Sequence, residues 1–152
     1  MLILPPKKTS WIVLALFYTF DAFSSYWAIR YMGANEGNPV IAPYVEANPL
    51  LFFPIMVFGF ILSYFIYLIL KTVIWSMMKR LKSIKEEQIE RIVLGVIIIF
   101  YFFTVIMNNS LYLLGVKAGW MLTAFLTTGI VTSLAYGISA LYLASRKKST
   151  KY

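Results

Sequence analysis

Asp21 is a carboxylate near the middle of a long apolar segment, and it is the residue best placed to do chemistry. The segment from Trp11 to Tyr31 is otherwise built mainly from aliphatic and aromatic side chains. It is long enough to cross a bilayer, which takes about 20 apolar residues. A charge at that depth costs roughly 2.5–3.5 kcal/mol even on permissive insertion scales. We therefore expect Asp21 to face the protein interior, an opposite charge or a water-filled cavity.

Lys71 is the cation that could neutralise Asp21. With a helical rise of about 1.5 Å per residue, Asp21 lies roughly 15 Å from the first segment's start and Lys71 roughly 10 Å from the same side. A lysine side chain spans that difference, so the spacing allows an Asp21–Lys71 ion pair inside a helix bundle. The alternative is that Lys71 snorkels to the inner interface from a long second segment. The sequence leaves both interpretations open.

Other polar residues could join Asp21. Ser25 shares its helix face at i+4, and Asn108 and Asn109 lie in a third apolar segment. Adjacent amides point in different directions, so we expect at least one of them to face protein. Amides in membrane helices more often join helices than bind ligands. The alternative is that these side chains line a polar pocket that opens towards the outer side.

A short motif occurs twice between the first two apolar segments. Glu36-Gly37-Asn38-Pro39 is echoed ten residues later by Glu46-Ala47-Asn48-Pro49. Asn before Pro is typical of a turn that begins a helix, which is one interpretation. The other is a site for a hard cation such as Ca²⁺ or Mg²⁺, with oxygen ligands from Glu36, Asn38 and Glu46. These are weak metal candidates, because the usual dense spacing of carboxylates is missing. No cofactor is expected.

The composition indicates which elements carry these residues. The chain is 61% hydrophobic and 13% charged, with a mean hydropathy of +0.77, as is typical of a polytopic helical membrane protein. We predict an all-α bundle of four transmembrane helices in a single domain over residues 1–152. The predicted spans are roughly 11–31, 50–78, 92–116 and 120–145. Histidine and cysteine are absent, which removes the commonest general base and the thiol nucleophile.

The basic residues predict the orientation. Eleven of the fourteen form three clusters, within residues 7–8, 79–91 and 146–151, and each cluster borders an apolar segment. By the positive-inside rule, four crossings place both termini in the cytoplasm and the loop at 33–49 outside. Anionic lipid headgroups account for the net charge of +8. We therefore expect a multi-pass protein of the cell membrane, with the lipid bilayer as partner and no nucleic acid.

Two features concern helix packing. Gly129, Ser133 and Gly137 recur every four positions in the fourth span, and small residues at this spacing let helices approach closely. We expect this stripe to pack within the monomer, with a seam between two copies as the alternative. The stretch from Val96 to Phe103 is bulky on all sides and is expected to face lipid over much of its surface.

These residues together resemble a known family. An Asp in the first helix, Gly33, the E-x-N-P turn and a Lys in the next apolar helix are similar to the small prokaryotic membrane proteins grouped as domain-of-unknown-function family 5658. The resemblance covers mainly the first two spans and their loop. By position, the matching residues are Asp21, Glu36, Asn38, Pro39, Lys71 and Asn109. No activity is established for that family, so the resemblance implies candidate positions and no reaction.

Three classes of function are compatible with the sequence. The first is an accessory or scaffold subunit of a larger membrane complex, or a homo-oligomer, in which an Asp21–Lys71 pair fixes helix register. The second is a small transporter or channel subunit for a proton, a cation or a small polar solute. The third is an intramembrane enzyme acting on lipids, which would need carboxylate or Ser–Lys chemistry. The sequence favours the first and makes enzymatic activity the less expected outcome.

Overall fold

Long apolar segments determine the architecture. The computed structural model describes residues 5–36, 38–79, 84–116 and 121–146. Four helices there are long and apolar enough to cross a membrane, at Lys7–Met32, Pro49–Met78, Glu86–Leu113 and Met121–Arg146. No strand occurs in the described ranges. The predicted all-α architecture with four spans is confirmed, although the first and third helices begin several residues earlier than their apolar stretches.

The elements follow one another along the chain with short connections. They are α1 (Lys7–Met32), α2 (Ala42–Ala47), a 3₁₀ turn (Pro49–Leu51), α3 (Phe52–Met78), α4 (Glu86–Tyr101), a π-helical segment (Phe102–Ile106), α5 (Met107–Leu113) and α6 (Met121–Arg146). We call α4, the π-helical segment and α5 together the third span. The π-helical segment lies in its middle.

Gly33 ends α1 and turns the chain back over it. Its φ of 64° is in the left-handed region, which glycine adopts without a Cβ penalty. The next backbone N–H, that of Ala34, donates to the carbonyl of Ala28 at 3.1 Å. This helix end directs the following residues back beside the last turns of α1, where they help to form the site described below.

The third span is the centre of the bundle, because α1, α3 and α6 all pack against it. The small residues of α6 approach the third span closely. A Cβ on Gly129 would lie 2.8 Å from Thr104 Cγ2, and one on Gly137 would lie 3.0 Å from Val96 Cγ2. The stripe of small residues therefore packs within the chain, as expected, and joins α6 to the third span.

This central position corrects the expectation for Val96 to Phe103. Only Phe100 of these eight residues is exposed, and the others are half-buried. Neighbouring helices cover the stretch because α4 contacts three of them. Bulk on all sides of a helix does not distinguish a lipid-facing helix from a central one.

The two ends of the bundle differ in charge. Lys7, Lys79, Lys85 and Arg146 lie at helix ends on one side, which we call the basic end. Residues 33–36 and 38–51 lie at the opposite side, the loop end. Six apolar residues with almost no exposure form a layer between the basic end and Asp21; its members are Leu14, Tyr67, Ile89, Ile92, Val93 and Leu94, each 0–1% exposed.

Candidate functional site

Asp21 is buried, with 7% of its surface exposed, and both of its oxygens accept hydrogen bonds. The Tyr101 hydroxyl donates to Oδ2 at 2.7 Å. The Asn109 amide donates to Oδ1 at 2.9 Å, and the Ser25 hydroxyl donates to the same atom at 3.2 Å. All three of these partners are neutral side chains that can donate to a carboxylate. Neutral donors therefore take the place of water around Asp21.

No ion pair reaches Asp21 within the described ranges. Lys71 instead places its Nζ 2.7 Å from Glu86 Oε1 and 2.7 Å from Glu90 Oε1. Glu90 also contacts Lys7, with Oε2 3.2 Å from Nζ. The predicted Asp21–Lys71 pair is wrong, because the antiparallel α3 and α4 bring Lys71 opposite the start of α4. The alternative, in which Lys71 reaches towards the basic end, agrees better with the structure.

We call Lys7, Lys71, Glu86 and Glu90 the basic-end cluster. It contains as many positive as negative side chains and neutralises itself. Sequence reasoning missed both glutamates as partners of Lys71. Their position near the start of α4, a few residues along the chain from the end of α3, was the available signal, because the end of one antiparallel helix lies opposite the start of the next.

The π-helical segment explains how two residues of the third span reach one carboxylate. Tyr101 and Asn109 are eight residues apart, and in an uninterrupted α-helix their directions would differ by about 80°. A π-helical turn accommodates an extra residue, which reduces that difference to about 20° on the α-helical rise of 100° per residue. Both side chains can then point at Asp21. Sequence reasoning missed Tyr101 because no pattern in the chain indicates this turn.

A second layer of hydrogen bonds supports the first. Ser24 donates to the Asp21 carbonyl at 3.1 Å, and its hydroxyl accepts from the Asn109 amide at 2.9 Å. Tyr18 and Ser63 share a hydrogen bond of 2.5 Å, and the Tyr18 ring lies 4.4 Å from that of Tyr101 between centroids. The network therefore joins α1, α3 and the third span around Asp21.

A cavity of about 420 Å³ extends from Asp21 to the loop end. The exposed Asn35 and Asn38 line its mouth. Six of the seven candidate residues from the sequence line it, namely Asp21, Ser25, Glu36, Asn38, Asn108 and Asn109, and Lys71 does not. The lining also includes Ser24, Thr104 and Tyr112. The structure thus forms the polar pocket that the sequence allowed, while its use for binding stays a prediction.

The duplicated motif shapes the mouth of this cavity. Asn38 Oδ1 accepts from the Val40 backbone at 3.0 Å, and Asn48 Oδ1 accepts from the Leu50 backbone at 3.3 Å. Each copy therefore begins a short helical turn, as in the first interpretation of the motif. Glu46 Oε1 accepts from the Glu36 backbone at 3.0 Å and so braces the first copy from the second.

The metal prediction gains no support from this geometry. Glu36 Oε1 accepts the Asn38 backbone N–H at 2.8 Å, and Glu46 does not line the cavity. In the part of the chain that the structure describes, no group of three or more His, Cys, Asp or Glu side chains is arranged to hold a metal ion. Glu36, Asn38 and Glu46 have local structural partners instead.

The comparisons with known proteins identify one relationship. A family model described as "Domain of unknown function (DUF5658)" matches residues 12–116. This range contains Asp21, the duplicated motif and every residue of the third span that lines the cavity. No curated protein and no solved structure matches the chain.

Proposed function

The chain belongs to the DUF5658 family, and we propose that it binds a small solute from the loop end and takes part in moving it across the membrane. Four helices with the length and composition of membrane spans make it a small multi-pass membrane protein. One observation carries the proposal. Asp21 is a buried carboxylate with only neutral partners in the described ranges, and it lies beside a cavity of about 420 Å³.

The cavity favours binding over a purely structural role for Asp21. A charge within a membrane span is costly, and a group that only fixed helix register would be expected to have an opposite charge or close packing around it. Asp21 instead borders open space of the size of small-molecule pockets, which measure about 300–1,000 Å³. This geometry supports a site that receives a group from outside the chain.

The orientation follows from the basic end. Lys and Arg are enriched in cytoplasmic segments, so we place the basic end and both termini in the cytoplasm and the cavity mouth outside. The apolar layer around Leu14 and Tyr67 separates the cavity from the basic end. The described state is thus open on one side, and passage of a solute requires this layer to rearrange or a second copy to complete a pathway.

Flux measurements on reconstituted protein test the proposal. Liposomes containing the protein are assayed for uptake of ²²Na⁺, labelled choline and labelled glycerol, and for proton movement with a pH-sensitive dye. We expect at least one of these fluxes to exceed that of empty liposomes and Asp21→Asn to return it to background. Glu87→Gln is the matched control, because Glu87 lies at the exposed start of α4 and pairs with Arg91. Equal flux in the wild type and Asp21→Asn, or no flux at all, would reject the proposal.

The sequence favoured an accessory or scaffold role, and that alternative loses one of its supports. The stripe containing Gly129 and Gly137 packs against the third span, and it is therefore occupied within the chain. Association with a second copy or a larger complex stays a prediction. A native gel in mild detergent tests it, and a stable lone monomer would count against it.

A lipid-active enzyme receives no specific support. Ser63 shares its hydrogen bond with Tyr18, and Lys71 is engaged by Glu86 and Glu90. These two side chains therefore have separate partners rather than forming a nucleophile and base. Metal-dependent turnover of a lipid would be needed to revive this possibility.

A further inference from the structure

The charge of the cavity restricts what it can hold. Asp21 borders it, and no Lys or Arg in the described ranges lines it. An anion would meet an uncompensated carboxylate there, in a region where water does not screen the repulsion effectively. A cation would supply the opposite charge that Asp21 lacks.

The size and chemistry of the cavity restrict the cation further. A divalent metal ion takes several oxygen ligands at about 2.0–2.6 Å, whereas the oxygens of Asp21 already accept N–H and O–H donors from Asn109, Ser25 and Tyr101. A bare ion at Asp21 would fill only a small part of the 420 Å³ cavity. The space fits a molecule with a carbon framework.

The lining is suited to such a molecule along its length. It offers the oxygens of Ser24, Asn108 and Thr104 as acceptors, and it also includes the apolar side chains of Ile29, Met56 and Val105. Ammonium groups need acceptors or a negative charge, and their carbon substituents gain from contact with apolar surface. Both requirements are met by different parts of one cavity.

We infer that the ligand is a small organic cation, whose ammonium group lies at Asp21 and whose carbon portion contacts the apolar lining. This inference rests on the proposed function and narrows it to one class of solute. It assigns Asp21 the role of counter-ion, while Tyr101 and Asn109 act as positioning residues that hold the carboxylate towards the cavity.

The experiment compares two probes of nearly the same shape. Choline and 3,3-dimethylbutan-1-ol differ in that a carbon atom replaces the charged nitrogen, and their binding to the wild-type protein in nanodiscs is measured by calorimetry at constant ionic strength. We expect choline to bind at least about tenfold more tightly, because the difference reports the charge pair with Asp21. Asp21→Asn should abolish the preference, and Glu87→Gln should retain it.

The outcomes separate this inference from the proposed function. Equal binding of choline and its uncharged analogue would overturn the organic-cation inference and leave solute binding in place. Displacement of bound choline by NaCl or MgCl₂ at concentrations no higher than that of choline would overturn it in favour of an inorganic ion. Absence of binding by both probes, together with flux of Na⁺ or protons that depends on Asp21, would also overturn it while the proposed function stands. Because the two probes are compared on the wild type, a folding defect in Asp21→Asn does not affect the result.

Discussion

The Asp21 site and the basic-end cluster both place charged side chains within candidate membrane spans, but they differ in how those charges are compensated. In the basic-end cluster, Lys71 lies 2.7 Å from both Glu86 and Glu90, so opposite charges form ion pairs. Asp21 meets only neutral donors in the described ranges and borders a cavity. The charges of the cluster are compensated within the chain, whereas in the proposed function the Asp21 site is completed by a solute from outside.

The difference indicates which region serves stability and which serves function. Partly buried charges that neutralise one another contribute to holding α1, α3 and α4 together. A carboxylate kept without a cationic partner adds a cost to the folded state, and proteins retain such costs mainly at functional sites. The following variants test this division, beginning with the largest expected effect.

Inserting one alanine between Ile106 and Met107 should disrupt the Asp21 site and spare the basic-end cluster. One extra residue between the π-helical segment and Asn109 rotates the following residues by about 100°. Asn109 then points away from Asp21, and we expect a loss of about 3 kcal/mol in the free energy of unfolding, as for the loss of hydrogen bonds to a charged acceptor.

Hydrogen exchange localises the effect of this insertion. Faster exchange should be confined to α5 and the middle of α1, and the start of α4 should stay as protected as in the wild type. Uniform loss of protection through α4 would show that the two regions are not separable. Replacement of Ile106 by Leu, which keeps the residue count, is the control and should leave the pattern unchanged.

Glu90→Gln should destabilise the protein, whereas Asp21→Asn should not. Glu90 contacts both Lys7 and Lys71, and its neutralisation leaves these two cations with one glutamate. We therefore expect Glu90→Gln to lower the free energy of unfolding by about 2 kcal/mol, less than the 3–5 kcal/mol lost when a fully buried pair is broken. Asp21→Asn removes a charge without a cationic partner, so it should leave the free energy of unfolding unchanged or raise it slightly. Unfolding of the reconstituted protein measures both changes.

The comparison would fail if Asp21→Asn were the more destabilising of the two. It would also fail if Glu90→Gln abolished solute flux while the protein stayed folded. Replacing Lys71 by Met together with Glu90 by Leu provides the control. The two side chains that lose a partner, Lys7 and Glu86, are each 49% exposed and stay solvated, so this double replacement should recover much of the lost stability.

Tyr101→Phe should reveal an interaction that depends on Asp21. The hydroxyl donates to a charged acceptor at 2.7 Å, and such hydrogen bonds contribute about 1.5–3 kcal/mol; we expect the lower part of that range. A double-mutant cycle with Asp21→Asn isolates the coupling. Identical effects of Tyr101→Phe in the wild type and in Asp21→Asn would show that the contact contributes nothing specific.

The sequence was sufficient for the fold and for much of the site. Continuous apolar stretches predict four helices because the bilayer allows few other structures, and Asp21, Ser25 and Asn109 were identified because polar residues at that depth need partners. The chain alone did not determine which partners these would be. Choosing between Glu90 and Asp21 for Lys71 depends on the relative register of two helices, which apolar periodicity does not fix.

Tyr101 shows a second limit of sequence reasoning. Its hydroxyl is directed at Asp21 by a π-helical turn, and the residues of that turn, Phe102–Ile106, look like any apolar stretch of a membrane helix. The cavity has the same origin. Its volume is set by how α1, the third span and the loop after Gly33 fit together in space, and none of these distances is encoded in local spacing.

Salt dependence gives the smallest and sharpest comparison, between the basic-end cluster and an ordinary surface pair on the same helix. Glu87 and Arg91 form an i,i+4 pair whose side chains are 64% and 34% exposed, whereas those of Glu90 and Lys71 are 14% and 20% exposed. Glu87→Gln should cost only about 0.3–0.5 kcal/mol, and in 1 M salt, where the Debye length is about 3 Å, that cost should vanish. The cost of Glu90→Gln should persist in the same salt, because partly buried charges are screened much less. If both costs vanished together, the basic-end cluster would be a surface feature, and its contrast with Asp21 would reflect exposure alone rather than a division between stability and function.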